Sequence, residues 1–271
     1  MFKKRIEEGQ FEGVRFVNGK VNFQSFGLNV YCFETDGVLI DTSSQSLFGY
    51  MRPFFDSVDV DKVVLTHNHE DHTGGAHYLA DKGLPVFLHK DSVGDVTKKA
   101  NYPLYRKLFW GSRKSFVAEP IGETFESRSA TWDVISTPGH TDDHLSFLNR
   151  ETGMLFTGDL YVSPKVKVIL RNESIPQIVR SIDRVLTYEF EMVVCNHAGI
   201  VKDGRAALSA KRDNLCAIID EVLTLQNKGM GIKDIHKTLF PTTYPIKRFS
   251  RGEWDSIHVV TSILNDAGVK G

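Results

Sequence analysis

The apolar positions of this chain follow two rhythms, and the changes between them divide it. Residues 13–42 carry short stretches with the every-second-residue spacing of strands. Val14-Arg15-Phe16-Val17 is the first, and it stops at Asn18-Gly19, a dipeptide that signals a tight hairpin. Residues 21–26 continue, and Gly27 breaks them. Residues 29–33 and 37–42 read as two neighbouring strands, with 63–65 and 85–89 as short buried ones. The strand rhythm returns at 123–126, 131–136, 145–148 and 154–156, and Met192-Val193-Val194-Cys195 is the last core strand.

Helical spacing fills the gaps. Ser43 or Ser44 is placed to cap a helix through Phe54-Phe55, with Pro53 near its far end. Gly74-Gly75 opens another helix to Lys82, whose N-terminal partial charge would favour anions. Residues 172–190 form a helix capped by Asn172 or Ser174, with an apolar face at Ile175, Ile178, Val179, Ile182, Val185 and Leu186. From Gly204 onward the pattern is helical. A long amphipathic stretch runs to Gly229, and residues 232–240 and 254–264 make two more helices around Pro241 and Pro245.

Composition bounds the picture without sharpening it. The 271 residues suffice for one large domain or a domain with an appendix. Charged residues are 25% and the formal net charge is −1, so attraction for anions must come from a local patch. No apolar run approaches the ~20 residues of a membrane helix, and the basic start lacks the apolar core of a secretory signal. Three widely spaced cysteines imply no disulfide framework, so a reducing cytoplasm is expected; Cys32 and Cys195 read as core residues.

Chemistry concentrates at residues 66–75, Thr-His-Asn-His-Glu-Asp-His-Thr-Gly-Gly. Imidazole and carboxylate suit a divalent transition metal. His67 and His69 point the same way on extended backbone, and a turn at Asp71-His72 can swing those two toward a neighbouring site. A catalytic tetrahedral site holds about three protein ligands and an open position. Four donors here, with others from elsewhere, imply two adjacent metals. The competing reading is a solvated polar loop. Residues 97–114 interleave Lys98, Lys99, Arg106, Lys107, Arg113 and Lys114 with Tyr102, Tyr105, Phe109 and Trp110. They read first as an amphipathic helix, aromatic side inward and basic side in water. The alternative is a lid that attracts an anionic, partly planar substrate. His77, His236 and His258 read as packing or surface residues, and His89, at a strand end, is ambiguous but is not read as a ligand.

His67-x-His69-x-Asp71-His72 after an apolar strand resembles the metal-binding motif of the metallo-β-lactamase superfamily. The resemblance implies an α/β fold, a four-layer αββα sandwich with its metals at one sheet edge. It also implies three further ligands, a His, an Asp and a His. His140 after Thr137-Pro138-Gly139, Asp159 in Thr157-Gly158-Asp159 and His197 in Asn196-His197-Ala198-Gly199 match them. Asn196 and Ala198 depart from the Pro-Gly-His-Gly turn of many relatives. Asp41, closing an early strand, resembles the acidic residue that supports the ligands from behind, against a simple turn residue; His144 matches a supporting position.

By this resemblance His67, His69 and His140 hold one metal, and Asp71, His72 and His197 hold the other, with Asp159 bridging. The implied cofactors are two divalent ions, zinc first, with iron or manganese as alternatives. The implied activity is hydrolysis of an ester-like, thioester, amide or phosphodiester bond by a metal-bridging hydroxide, which Asp71 would help orient as the catalytic residue. β-Lactamases of this group use cysteine where Asp159 stands, so glyoxalase II-like and nuclease-like branches are nearer. The extra motifs of the RNA-cleaving β-CASP group are absent. Residues 1–203 are expected to form the catalytic domain. Residues 204–271 resemble the helical C-terminal extension of thioesterase-like and ribonuclease-like members, which could shape the substrate site or make a homodimer contact. The expected partner is a small, anionic molecule, with no membrane and with nucleic acid not favoured. A persulfide dioxygenase holding one iron and a nucleic-acid-binding or nuclease module are the alternatives.

Overall fold

The computed structural model describes residues 3–23 and 26–269. Seven strands form the first sheet in chain order: β1 (Lys3–Phe11), β2 (Val14–Phe23), β3 (Phe26–Thr35), β4 (Val38–Ile40), β5 (Lys62–Val64), β6 (Val86–Leu88) and β7 (Glu119–Pro120). It is antiparallel up to β4 and parallel from there. Parallel neighbours need crossovers, and helices supply them. They are α1 (Phe48–Ser57), α2 (Ala76–Asp81), α3 (Val93–Val96) and α4 (Leu104–Trp110). The second sheet contains β8 (Thr124–Glu126), β9 (Thr131–Ser136), β10 (Leu145–Asn149) and β11 (Met154–Phe156), then β13 (Met192–Cys195) and β14 (Gly199–Val201) beyond β11. β12 (Ile169–Leu170) pairs instead with β15 (Trp254–Asp255). α5 (Ile175–Val185), α6 (Gly204–Asn227), α7 (Ile232–Leu239), α8 (Pro245–Phe249) and α9 (Ile257–Asp266) complete the chain.

Side-chain alternation explains the layering, because successive strand residues face opposite sides. In β4, Val38 and Ile40 join a core between the sheets while Leu39 joins the core under the first helices. In β13, Val194 faces the inter-sheet core while Val193 and Cys195 face α5 and α6. The inter-sheet core is aromatic, with Phe33, Trp132, Phe147 and Phe156 fully buried. Three cores separate four layers, so the architecture is the αββα sandwich, with a C-terminal helical region. Leu208, Leu215, Val222, Ile235, Val260 and Ile263 of that region share the core over the second sheet. Among the described residues, no helix is long and apolar enough to cross a membrane.

Several local expectations are overturned. Asn18-Gly19 is not a turn. It lies inside β2, paired with Tyr31 and Val30, and the turn is Glu12-Gly13, both at positive φ. Gly19 is there because α1 packs on it, and an added Cβ would come 2.6 Å from Met51 Cε. Gly27 lies within β3 opposite Asn22 rather than ending a strand. Neither Ser43 nor Ser44 caps α1, which starts after Leu47 without a side-chain cap and carries Pro53 internally to Ser57. Trp254 belongs to β15 and not to a helix. Ser174 does cap α5, accepting from Gln177 N. The amides of Gly74 and Gly75 are donated to Ser43 O and Thr42 O, so they offer no anion site.

Candidate metal centre

The sequence-predicted residues converge where strands end. β5 delivers residues 66–73, and this loop is fastened on both sides. Thr42 N donates to His72 O, and Leu145 N donates to Thr66 O, so the loop is tied to both sheets. His140 follows β9, Asp159 follows β11 and His197 follows β13. Two short parallel strands, β11 and β13, set Asp159 beside His197.

The structure brings all seven together. Three groups have ligand-type atoms within 4.8 Å of one another: His67, His69 and His140; His67, His72 and Asp159; Asp71, His72 and His197. His69 Nδ1 and His140 Nε2 are 2.9 Å apart. Asp159 sits at the middle. Its Oδ1 lies 3.3 Å from His72 Nε2 and 3.2 Å from His197 Nε2, and its Oδ2 lies 3.2 Å from His140 Nε2. Asp71 Oδ2 is 3.6 Å from His197 Nε2.

The surroundings fix the imidazoles. His72 Nδ1 stands 2.7 Å from Asp41 Oδ2, His140 Nδ1 stands 3.1 Å from Glu173 Oε2, and His197 Nδ1 stands 2.5 Å from the Asn29 carbonyl. Each acceptor requires an N–H at Nδ1, which turns an Nε2 lone pair to the centre in the neutral ring. Thr66 Oγ1 donates to Asp41 Oδ2 and lies 3.1 Å from His67 Nδ1, extending the same logic to His67. His144 is a supporting residue: its Nε2 accepts from Asp159 N, and its Nδ1 meets Thr137 Oγ1.

His67 Nε2, His72 Nε2 and Asp159 Oδ1 are buried without a hydrogen-bond partner. Such atoms are rare and costly unless a cation or water completes them. The nitrogen and carboxylate donor set suits zinc or a similar divalent ion. Electrostatics agree. Burial and the neighbouring imidazoles hold His67 and His69 well below the usual histidine range. Burial works against charge on His72 and His197, but Asp41 and Asp159 lift His72 well above its ordinary value, and Asp159 lifts His197 to about 9. Burial opposes ionisation of Asp159 too, and His197, His72 and His140 outweigh it. The centre attracts positive charge, which either protons or metal ions supply.

Residues 97–114 differ from the expected helix with a wetted basic side. Only α4 is helical within them, and two of the cations turn inward with the aromatics. Arg106 grips Glu70 through both carboxylate oxygens, at 2.5 and 2.7 Å, and reaches Glu253 at 3.4 Å. Arg113 is buried on the Val96 carbonyl. Arg106 is therefore a staple between the metal loop, α4 and the C-terminal region, and its charge is consumed there. His77 is buried on the Gly74 carbonyl, His89 accepts from Asp91 N, His236 meets Ser256 and His258 meets Gly252 O.

Sequence reasoning missed four supports. Glu173 carries His140, and its other oxygen accepts from Leu170 N. Lys211 on α6 is buried and donates to Leu160 O and Tyr161 O, bracing the turn after Asp159. Glu70 holds Arg106, and Asp143 accepts from Asn68 N and Ser92 Oγ. Asp143 lies in the His140–His144 run, where its acidity was a usable signal; the other contacts leave no local pattern. Beside the centre opens a cavity of about 450 Å³ reached by Asp71, His140, Asp159 and His197.

The family described as the metallo-beta-lactamase superfamily matches residues 29–197, more than half of the chain. Thioesterase pkgB of Emericella nidulans is 33% identical over 159 residues, covering 54% of this chain and 39% of that protein. A hydroxyacylglutathione hydrolase from Hydrogenovibrio crunogenus is 28% identical over 210 residues, covering 76% of this chain and 70% of that protein. Of pkgB and two further curated relatives the chain spans 39%, 60% and 53% of the length. A metallo-beta-lactamase family protein from Thermus thermophilus superposes with a TM-score of 0.68 at 20% identity, covering 96% of each chain.

Proposed function

The chain belongs to the metallo-β-lactamase superfamily, and on that premise we propose that it is a metal-dependent hydrolase of ester or thioester bonds. The observation that carries the reading is the position of Asp159, with one oxygen toward His72 and His197 and the other toward His140. One carboxylate facing both histidine groups favours two ions over one. His67, His69 and His140 would hold the first, and Asp71, His72 and His197 the second, with Asp159 shared. Zinc fits this donor set. When bound, such a pair supplies Lewis acidity at the scissile oxygen and a water whose pKa falls toward ~7.

The chain's own residues do the rest. Asp41, Glu173 and the Asn29 carbonyl hold three imidazoles in one orientation, so little reorganisation is left for turnover. Asp71, at the cavity wall, is placed to accept a hydrogen bond from a nucleophile and orient it. Residues 204–271 would be an extension that completes the cavity of the catalytic domain, residues 1–203. The names of two relatives, a thioesterase and a hydroxyacylglutathione hydrolase, support acyl rather than phosphoryl substrates.

The test is a panel of thioester, carboxylic ester, lactone, phosphodiester and β-lactam substrates on one preparation. Thioester or ester hydrolysis that chelation abolishes and zinc restores is expected. Phosphodiester cleavage alone, or oxygen uptake with a persulfide, would replace this reading.

A further inference from the structure

The cavity beside the centre has walls of one character. α4 contributes Tyr105 and Phe109, the segment before β12 contributes Val166 and Val168, and α8 contributes Ile246 and Phe249. Its volume of about 450 Å³ lies within the range of pockets that enclose a small-molecule group. The charges nearest these walls are spent internally. Arg106 is held by Glu70 and Glu253, and Lys211 is held by the Leu160 and Tyr161 carbonyls. What remains toward the cavity is apolar surface that ends at Asp71, His140 and Asp159. Lys165 and Lys167 alternate with Val166 and Val168 and stay exposed, leaving the valines half-buried. The cavity therefore offers apolar contact inside and positive charge only at its rim.

We propose that this cavity is an acyl chamber, and that its C-terminal wall selects substrates carrying a bulky apolar acyl group, of medium aliphatic length or aromatic. The proposal rests on the hydrolase reading for the reaction but not for the binding. An acyl chain lying along the cavity removes its methylenes from water against Val166, Val168 and Ile246, with Tyr105, Phe109 and Phe249 packed on one another to close the wall where α4 meets α8. Its carbonyl end then lies at the histidine and carboxylate cluster. A short acyl group leaves most of that surface unused. Ile246, half-buried on the five-residue α8, is a wall residue outside the fully buried core.

Two measurements separate the chamber from the chemistry. Trp110 and Trp254 line the cavity, so octanoate binding is read from intrinsic fluorescence without turnover. Wild-type protein should show a saturable change with octanoate and none with acetate. In hydrolysis, p-nitrophenyl octanoate should exceed the acetate ester in kcat/KM by at least about tenfold, since each buried methylene adds apolar contact. Ile246→Arg should lose both the fluorescence response and the preference for the octanoate ester, and Ile246→Leu should resemble wild type. Saturable octanoate binding without hydrolysis of any ester or thioester would uphold the chamber and overturn the hydrolase reading. Hydrolysis indifferent to chain length, with no octanoate response in wild type, would overturn the chamber and leave the hydrolase reading standing. The wild-type arms decide the matter even if the arginine variant fails to fold.

Discussion

Asp41 Oδ2 stands 2.7 Å from His72 Nδ1, with both side chains wholly buried. Asp41 reaches this position from a left-handed backbone, φ 58°, at the end of β4. That conformation is unusual for a residue other than glycine and is held here by the Asp41 N to Val64 O hydrogen bond and by Thr66, which donates to Asp41 from its amide and its hydroxyl. The strain aims one carboxylate at one imidazole, and through it at Asp159.

Replacing Asp41 by Asn should lower metal affinity roughly 10–100-fold, because the amide no longer demands an N–H from His72. Competition against a chelator of known affinity measures it. Unchanged affinity would mean that Thr66 alone orients the ring.

Arg106→Ala should destabilise the fold by roughly 3–5 kcal/mol, since Glu70 is left buried and unpaired. Arg106 is itself 14% exposed, which favours the lower end. Adding Glu70→Leu should recover part of the loss. Urea denaturation of the wild type and the two variants checks this. A single-variant cost under about 1 kcal/mol would place the pair among ordinary surface bridges.

Lys211 carries a pH signature. Burial lowers its pKa from 10.5 to about 8. Below pH 8 the lysine is charged in both folded and unfolded chains, and the folded one bears the cost of burying it. Between about 8 and 10.5 the unfolded chain binds more protons, so the wild type gains stability as pH rises. Lys211→Met lacks this gain. Denaturation of both proteins at pH 7 and pH 9.5 should show the wild type improving relative to the variant. A constant difference would show that the buried ammonium is fully compensated by its two carbonyls.

The centre was more legible in the sequence than the strands that carry it. His67, His69, Asp71 and His72 are crowded into one loop, so local pattern suffices to nominate them, whereas His140, Asp159 and His197, each after a strand, are nominated only through the family resemblance. Their mutual placement is a structural fact; their roles as ligands belong to the proposal. Asn18-Gly19 misled because the same dipeptide serves a turn and a close approach. Here Met51 and Leu47 need the absent side chain of Gly19. Glu173 and Lys211 left no trace because their partners are distant in sequence, Lys211 reaching back to Leu160. The cations of residues 97–114 looked solvated because nothing local reveals that Glu70 and Val96 await them.

On the proposed reading this cluster holds two divalent ions shared through Asp159. Elemental analysis of the purified protein, alongside Asp159→Asn, tests it most directly. Two divalent ions per wild-type chain are predicted, zinc foremost, falling toward one in the variant as the shared negative charge is lost. One iron per chain, or a variant that keeps both ions at wild-type affinity, would contradict it.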